Sequence, residues 1–181
     1  MSKRGFFGVG VERISKELNV GNLVRSAHSF GASFFFTIDP AVDVRAMRQS
    51  DTSAAFQHMP YYQYQSADEM MLPRGCKLVG VELTDDAVEL PSFKHPAQAA
   101  YILGPEMGSL SQDMQDKCDH IIKIPMKFCV NVGVAGAIVM YDRAISMNNY
   151  APRPVVPGGA LPEMAPVNTG GHRRKIRTKK P

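Results

Sequence analysis

Five short apolar runs punctuate the chain, each bounded by charged or turn-forming residues: FFGVGV (6–11), SFFFTID (33–39), CKLVGVEL (76–83), AAYILG (99–104) and HIIKIP (120–125). Continuous runs of this length predict buried strands. Between several of them the apolar positions change to a helical period. Leu23, Ala27 and Phe30 fall at i, i+4 and i+7 and are closed by Gly31, while Val134, Ile138, Tyr141 and Ile145 mark a last, longer helix. Two more helices are predicted near VRAMRQSDTSAAF (44–56) and SADEMML (66–72). Candidate N-caps stand ahead of three helices: Asn19, Ser109 with Gln112 as a capping box, and Asn131. Alternating strands and helices predict an α/β domain with a largely parallel sheet and flanking helices.

Length and charge refine that picture. A chain of 181 residues, 44% hydrophobic and 21% charged, fits one domain with a real core. We expect it over residues 1–150, because from 151 to 181 the chain is dense in Pro and Gly without a sustained period and predicts a flexible tail. The tail holds Arg153, Arg173, Arg174, Lys175, Arg177, Lys179 and Lys180 against Glu163 alone, so the net +4 of the whole chain leaves about −2 for the rest. A polycation on a near-neutral body points to a polyanionic partner, with solubility as the plainer alternative.

Other function classes recede. Cys76, Cys118 and Cys129 are widely spaced, without a C-x-x-C pair or zinc-type histidine spacing, and fit a reduced cytoplasm. The five histidines are scattered and are taken as ordinary polar residues; neither a metal nor a membrane is expected. No apolar stretch is long enough for a signal peptide or a membrane span. The GVG at 8–10 lacks the third glycine of a dinucleotide fingerprint.

The segments with chemical content are loops that lead into helices. ILGPEMGSLS (102–111) follows a strand and places Glu106 among glycines that let a ligand approach the backbone; a solvated acid in an ordinary loop is the alternative. At about 100° per residue Arg25 leaves the apolar face of its helix together with Asn22 and Ser29. It is either solvated or free to grip a phosphate with its planar fork. Asn131, in KFCVNVGVAGAIVMYDR, is either only a cap or a cap that also faces a site.

Taken in order, NVGNLVRSA (19–27), ILGPEMGSLS (102–111) and IPMKFCVNVGVAGAIVMYDRA (124–144) resemble the three motifs of the SpoU/TrmH-type branch of the SPOUT methyltransferases, a similarity running from about Phe6 to Asn148. The resemblance implies a trefoil knot in the sheet's C-terminal part. It also implies a homodimer and transfer of a methyl group from S-adenosylmethionine to a ribose 2′-hydroxyl of tRNA or rRNA. Arg25 matches the catalytic arginine, and Asn19, Glu106 and Asn131 match the motif positions that support it. Leu83, Gly104, Ile124 and Cys129 fall where the family holds its cofactor. RNA contacts are expected from Arg25 and from Arg173, Arg174, Lys175, Arg177, Lys179 and Lys180. Cys129 replaces the family's usual serine, and the loop before Asn131 is shorter than usual and lacks its glycine. Those departures motivate an alternative, an RNA-binding or assembly protein on the same scaffold with lapsed catalysis. A third reading, an unrelated α/β enzyme acting on a small nucleotide, has only the sheet pattern behind it.

Overall fold

The computed structural model describes residues 5–43, 45, 47, 54–148, 150 and 157–158. The sheet and its helices belong to one compact unit, Met1–Asn148. The basic tail residues from Arg173 onward fall outside the described residues, as does most of the helix expected over 44–56.

Seven parallel strands form one sheet: β1 (Phe6–Glu12), β2 (Phe34–Ile38), β3 (Tyr61–Tyr64), β4 (Lys77–Val81), β5 (Val88–Glu89), β6 (Gln98–Leu103) and β7 (His120–Lys123). Their spatial order is β3-β2-β1-β6-β4-β7-β5. The five apolar runs supply the five longer or central strands. β3 and β5 are additional to the prediction, and both lie at sheet edges, where burial on two faces is not required.

Helices α1 (Glu17–Ser29) and α4 (Val132–Met147) pack on one face with the short α2 (Ala55–His58). The other face is covered by α3 (Gln112–Lys117) and by Ala67, Met70 and Leu72. Residues 66–72 form turns and not the predicted helix, so their apolar spacing serves this cover instead. β7 lies between β4 and β5, although residues 82–87 join those two strands directly, and the chain then returns as α4 to pack on α1 and on the turn at Leu90–Ser92. This threaded return belongs to the knotted α/β fold that the resemblance implies.

The GVG at 8–10 has a packing role. In β1, Phe7, Val9 and Val11 face the α1–α4 side, while Gly8 and Gly10 pair in register with Phe34 and Phe36 of β2 on the other. A Cβ at Gly10 would stand 2.3 Å from the Phe36 ring, which is only 1% exposed. We therefore expect Gly10→Ala to cost about 1–2 kcal/mol by overpacking, seen as a lower urea midpoint at unchanged slope.

Helix ends follow the expectation only in part. α1 does close on Gly31 (φ +79), with the amides of Gly31 and Ala32 bonding the His28 and Ala27 carbonyls in a Schellman motif. Its start, however, is capped by Lys16 without a side-chain bond, and Asn19 sits inside the first turn, buried. The cap of α3 is Ser111, which accepts from the Met114 amide, in place of the Ser109–Gln112 box. Asn131 caps α4 as expected, its Oδ1 accepting from the Gly133 amide at 2.8 Å.

The histidines are not all ordinary polar residues. His95 is buried, with Nδ1 2.6 Å from the Tyr101 hydroxyl and Nε2 2.9 Å from Asp142. Burial pulls its imidazole below the ordinary value, and the Asp142 bond offsets this only in part, so the ring is neutral at pH 7. Burial likewise pushes the Tyr101 hydroxyl up to about 12, so it keeps its proton and donates to Nδ1. Arg143 donates to that hydroxyl and to the Pro96 and Ala97 carbonyls. This network ties α4 to the segment entering β6.

Candidate active site

Because every strand runs the same way, the ends of β1, β4, β6 and β7 open on one edge of the sheet, the usual place for a ligand in such folds. A cavity of about 410 Å³ lies there. Val81, Glu82 and Leu83 line it after β4, Gly104, Pro105 and Glu106 after β6, and Lys123, Ile124 and Met126 after β7. Lys16, Asn19, Cys129, Asn131 and Val132 also line it. Leu83, Gly104, Ile124 and Cys129 thus share one cavity with Asn19, Glu106 and Asn131.

A single string of hydrogen bonds joins the three motif segments. Glu106 accepts from the Ser15 and Lys16 amides at 3.0 Å each, from the Ser15 hydroxyl at 3.1 Å and from Asn19 Nδ2 at 2.9 Å. Its carboxylate supplies the positive end of α1 with the acceptor that Lys16 cannot provide. An ionised carboxylate only accepts, so Asn19 must turn its NH₂ toward it. Asn19 Oδ1 is then free to accept from Asn131 Nδ2 at 2.8 Å, which leaves Asn131 Oδ1 for the Gly133 amide. Chemistry therefore fixes the polarity of the string, and Asn131 is both a helix cap and part of the cavity wall. Partial burial would raise the Glu106 carboxyl, but the bonds from Asn19 and Ser15 outweigh it and hold the group below its ordinary value.

Other contacts brace the same loops. Arg13 takes a left-handed backbone conformation (φ +49) at the end of β1 and donates to the Ser109 carbonyl at 2.9 Å. Glu12, buried beside it, accepts from the amide and hydroxyl of Ser111. Glu82 accepts from the Leu83 and Leu110 amides, and Lys123 donates to the Thr84 and Asp85 carbonyls. Sequence reasoning missed Glu12, Glu82, Lys16 and Lys123. The available signal was position alone, since each charge ends or closely follows a strand on the cavity edge.

Arg25 lies on the exposed side of α1, in an open groove with Asn22, Ser26, Asn131, Ile138 and Tyr141. Asn131 borders both this groove and the cavity, so Arg25 and Glu106 stand on adjoining walls. Among the described residues Arg25 has no hydrogen bond or ion pair. No group of three His, Cys, Asp or Glu that could hold a metal occurs among the described residues, and no described helix is long and apolar enough to cross a membrane.

The chain is similar to known proteins in sequence and in fold. A tRNA (guanosine(18)-2′-O)-methyltransferase of Escherichia coli K12 is 24% identical over 139 residues, 74% of this chain and 61% of its own. The chain thus spans about three fifths of the length of that curated relative. Among solved structures, the SpoU methyltransferase AviRb from Streptomyces viridochromogenes in complex with AdoMet superposes with a TM-score of 0.69 at 24% identity, covering 79% of this chain and 62% of that one. An rRNA methyltransferase from Sinorhizobium meliloti gives 0.72 at 16% identity, covering 81% and 58%. The sequence pattern of the SpoU rRNA Methylase family matches residues 7–141, a stretch that holds the cavity and every bond of the string, and the chain belongs to that family.

Proposed function

We propose that the protein methylates the ribose 2′-hydroxyl of a tRNA or rRNA nucleotide, using S-adenosylmethionine. The observation that carries this reading is the pairing of a string-braced cavity with an uncommitted guanidinium on the adjoining wall. The cavity fits the cofactor by its volume and by a lining that mixes apolar side chains and loop backbone with the charged Lys16, Glu82, Glu106 and Lys123. At Gly104 a Cβ would come within 3.0 Å of the Leu110 amide, so the wall there is bare backbone. Leu83, Gly104, Ile124 and Cys129 would hold the cofactor. When bound, it supplies an electrophilic methyl on a sulfonium, and transfer leaves S-adenosylhomocysteine, a 2′-O-methyl ribose and one proton. Arg25 orients the target phosphate and stabilises the developing alkoxide; its guanidinium has donors but no acceptor and does not act as the base. Glu106, Asn19 and Asn131 hold the loops in place.

The test is incubation of the protein with methyl-labelled S-adenosylmethionine and total RNA, with 2′-O-methyl sites mapped in wild-type and deletion strains. Absence of the modification in both settings overturns the proposal. The second reading, lapsed catalysis, is favoured by Cys129 and the short loop before Asn131. Calorimetry separates the two, because RNA binding without S-adenosylmethionine binding supports only the second.

Two partner assignments extend the proposal. α4 is apolar on both sides: Val139 and Met140 face the core, while Val134, Tyr141 and Ile145 are 49%, 54% and 37% exposed. A helix apolar all round calls for cover on both faces, and a second copy of this chain would provide it beside the Arg25 groove. Ile145→Glu is therefore expected to convert a dimer into a monomer in sedimentation velocity and to lower turnover with it. The basic tail binds RNA phosphates. Removing residues 151–181 is expected to weaken RNA affinity and flatten its salt dependence, by about one unit of log–log slope for each phosphate no longer neutralised, with cofactor affinity unchanged.

A further inference from the structure

The segment from Ile124 to Asn131 is held at both ends, by the buried Ile124 and by the bonded cap Asn131. Every residue between them is exposed, and the chain bends at Lys127 and Phe128. Phe128 stands at that bend with 85% of its surface open to solvent. It is not among the residues that line the cavity, although Met126 and Cys129 on either side are. A large aromatic side chain on a short loop anchored at both ends is thus presented outward, at the mouth of the site. Met107, 86% exposed between the cavity residues Glu106 and Gly108, adds a second apolar group at the same mouth.

We infer that Phe128 is a positioning residue for the nucleic acid: the unstacked base of the target nucleotide, or of its neighbour, lies on the Phe128 ring while Lys127 meets the adjoining phosphate. This rests on the proposed transferase reading and deepens it. A ribose oxygen enters a cavity at the strand ends, lined by three loops, only if its nucleotide leaves a regular stack, and a base so exposed is held most simply by an aromatic face. The cofactor is excluded as occupant because the ring does not line its cavity. A base fits better than an apolar protein segment because a cation is adjacent in the chain and the reaction itself delivers a nucleotide here. Stacking accepts any base, so Phe128 contributes affinity and placement, with the identity of the nucleotide read elsewhere.

The chain contains no tryptophan, so Phe128→Trp gives a single tryptophan at the bend, excited selectively beyond the absorption of the six tyrosines. Wild type, Phe128→Ala and Phe128→Trp are compared using unfractionated tRNA and rRNA, with methyl transfer, S-adenosylmethionine binding and sedimentation measured on each. We expect Phe128→Ala to lower kcat/KM for RNA about tenfold or more, mainly through KM, with cofactor affinity and oligomeric state unchanged. Phe128→Trp should retain activity within about threefold, and RNA should quench its fluorescence. Wild-type kcat/KM in Phe128→Ala overturns the inference, as does parallel loss of cofactor binding or of assembly, which would make the ring a structural contact. If the wild-type protein transfers no methyl group, the transferase reading fails and the fluorescence still decides. Quenching by RNA then supports the platform, and its absence removes that as well.

Discussion

Arg25→Ala is expected to lower the single-turnover rate of methyl transfer by about 10²–10³-fold while leaving S-adenosylmethionine affinity within about twofold. The two readouts separate because Arg25 lies outside the cavity, on the groove side of Asn131. The helix that carries it is held by Val20, Leu23, Val24 and Ala27, all fully buried, so truncating an exposed side chain on its far face leaves the scaffold intact. An arginine with only solvent for company would change stability and activity by a few tenths of a kcal/mol at most. One that orients a phosphate and offsets charge growing on an alkoxide loses several. Arg25→Lys is expected to recover little, since a point charge replaces a planar fork that can bond two oxygens at once. Equal losses in rate and cofactor affinity would reject the assigned role.

The parts of this molecule legible in its sequence are those whose cause is local. A strand buried on both faces leaves an apolar run, and five such runs gave five strands of a seven-stranded sheet. β3, YYQY, is an edge strand with Tyr62 and Gln63 exposed, and β5 is two residues long, so neither needed such a run. Arg25 could be placed outside the core from helix geometry alone. The partners of Asn19 could not be found that way: its acceptor lies 87 residues on and its donor 112 residues on. Seen locally, an asparagine before an apolar helical pattern suggests a cap, whereas the chain places it inside the first turn to join two distant loops. The stripe Val134, Ile138, Tyr141, Ile145 shows the same limit. Periodicity identified the helix, but the side that meets the sheet is the one containing Gly136, where a Cβ would stand 2.3 Å from Leu23. Small residues that permit a close helix crossing leave no mark in a hydrophobic pattern.

Glu106→Gln tests the string directly. All four groups that meet the carboxylate are donors, and they divide between its two oxygens. An amide can satisfy at most three of the four: its oxygen accepts from one pair and its NH₂ can donate to the Ser15 hydroxyl, but a remaining N–H then faces an NH₂ with no lone pair to offer. We expect a loss of about 1–2 kcal/mol in stability, at the lower end of what such charged bonds give in buried sites because the carboxylate is partly open to water. Cofactor affinity should fall more than tenfold as the 104–108 loop loses its hold on α1. The pH dependence distinguishes this from general damage. The folded carboxyl is held below its ordinary value of 4.5 by the Asn19 and Ser15 bonds, which overcome the opposing effect of burial. The folded state therefore binds fewer protons than the unfolded one, and the contribution of Glu106 is fully present above the unfolded carboxyl's value and disappears as pH falls through the lower folded value. Urea midpoints measured from pH 3 to 7 should show a wide gap between wild type and Glu106→Gln at neutral pH that narrows below about pH 4. A gap that stays constant across that range would mean that the ionised carboxylate is not what fastens the loop to the helix.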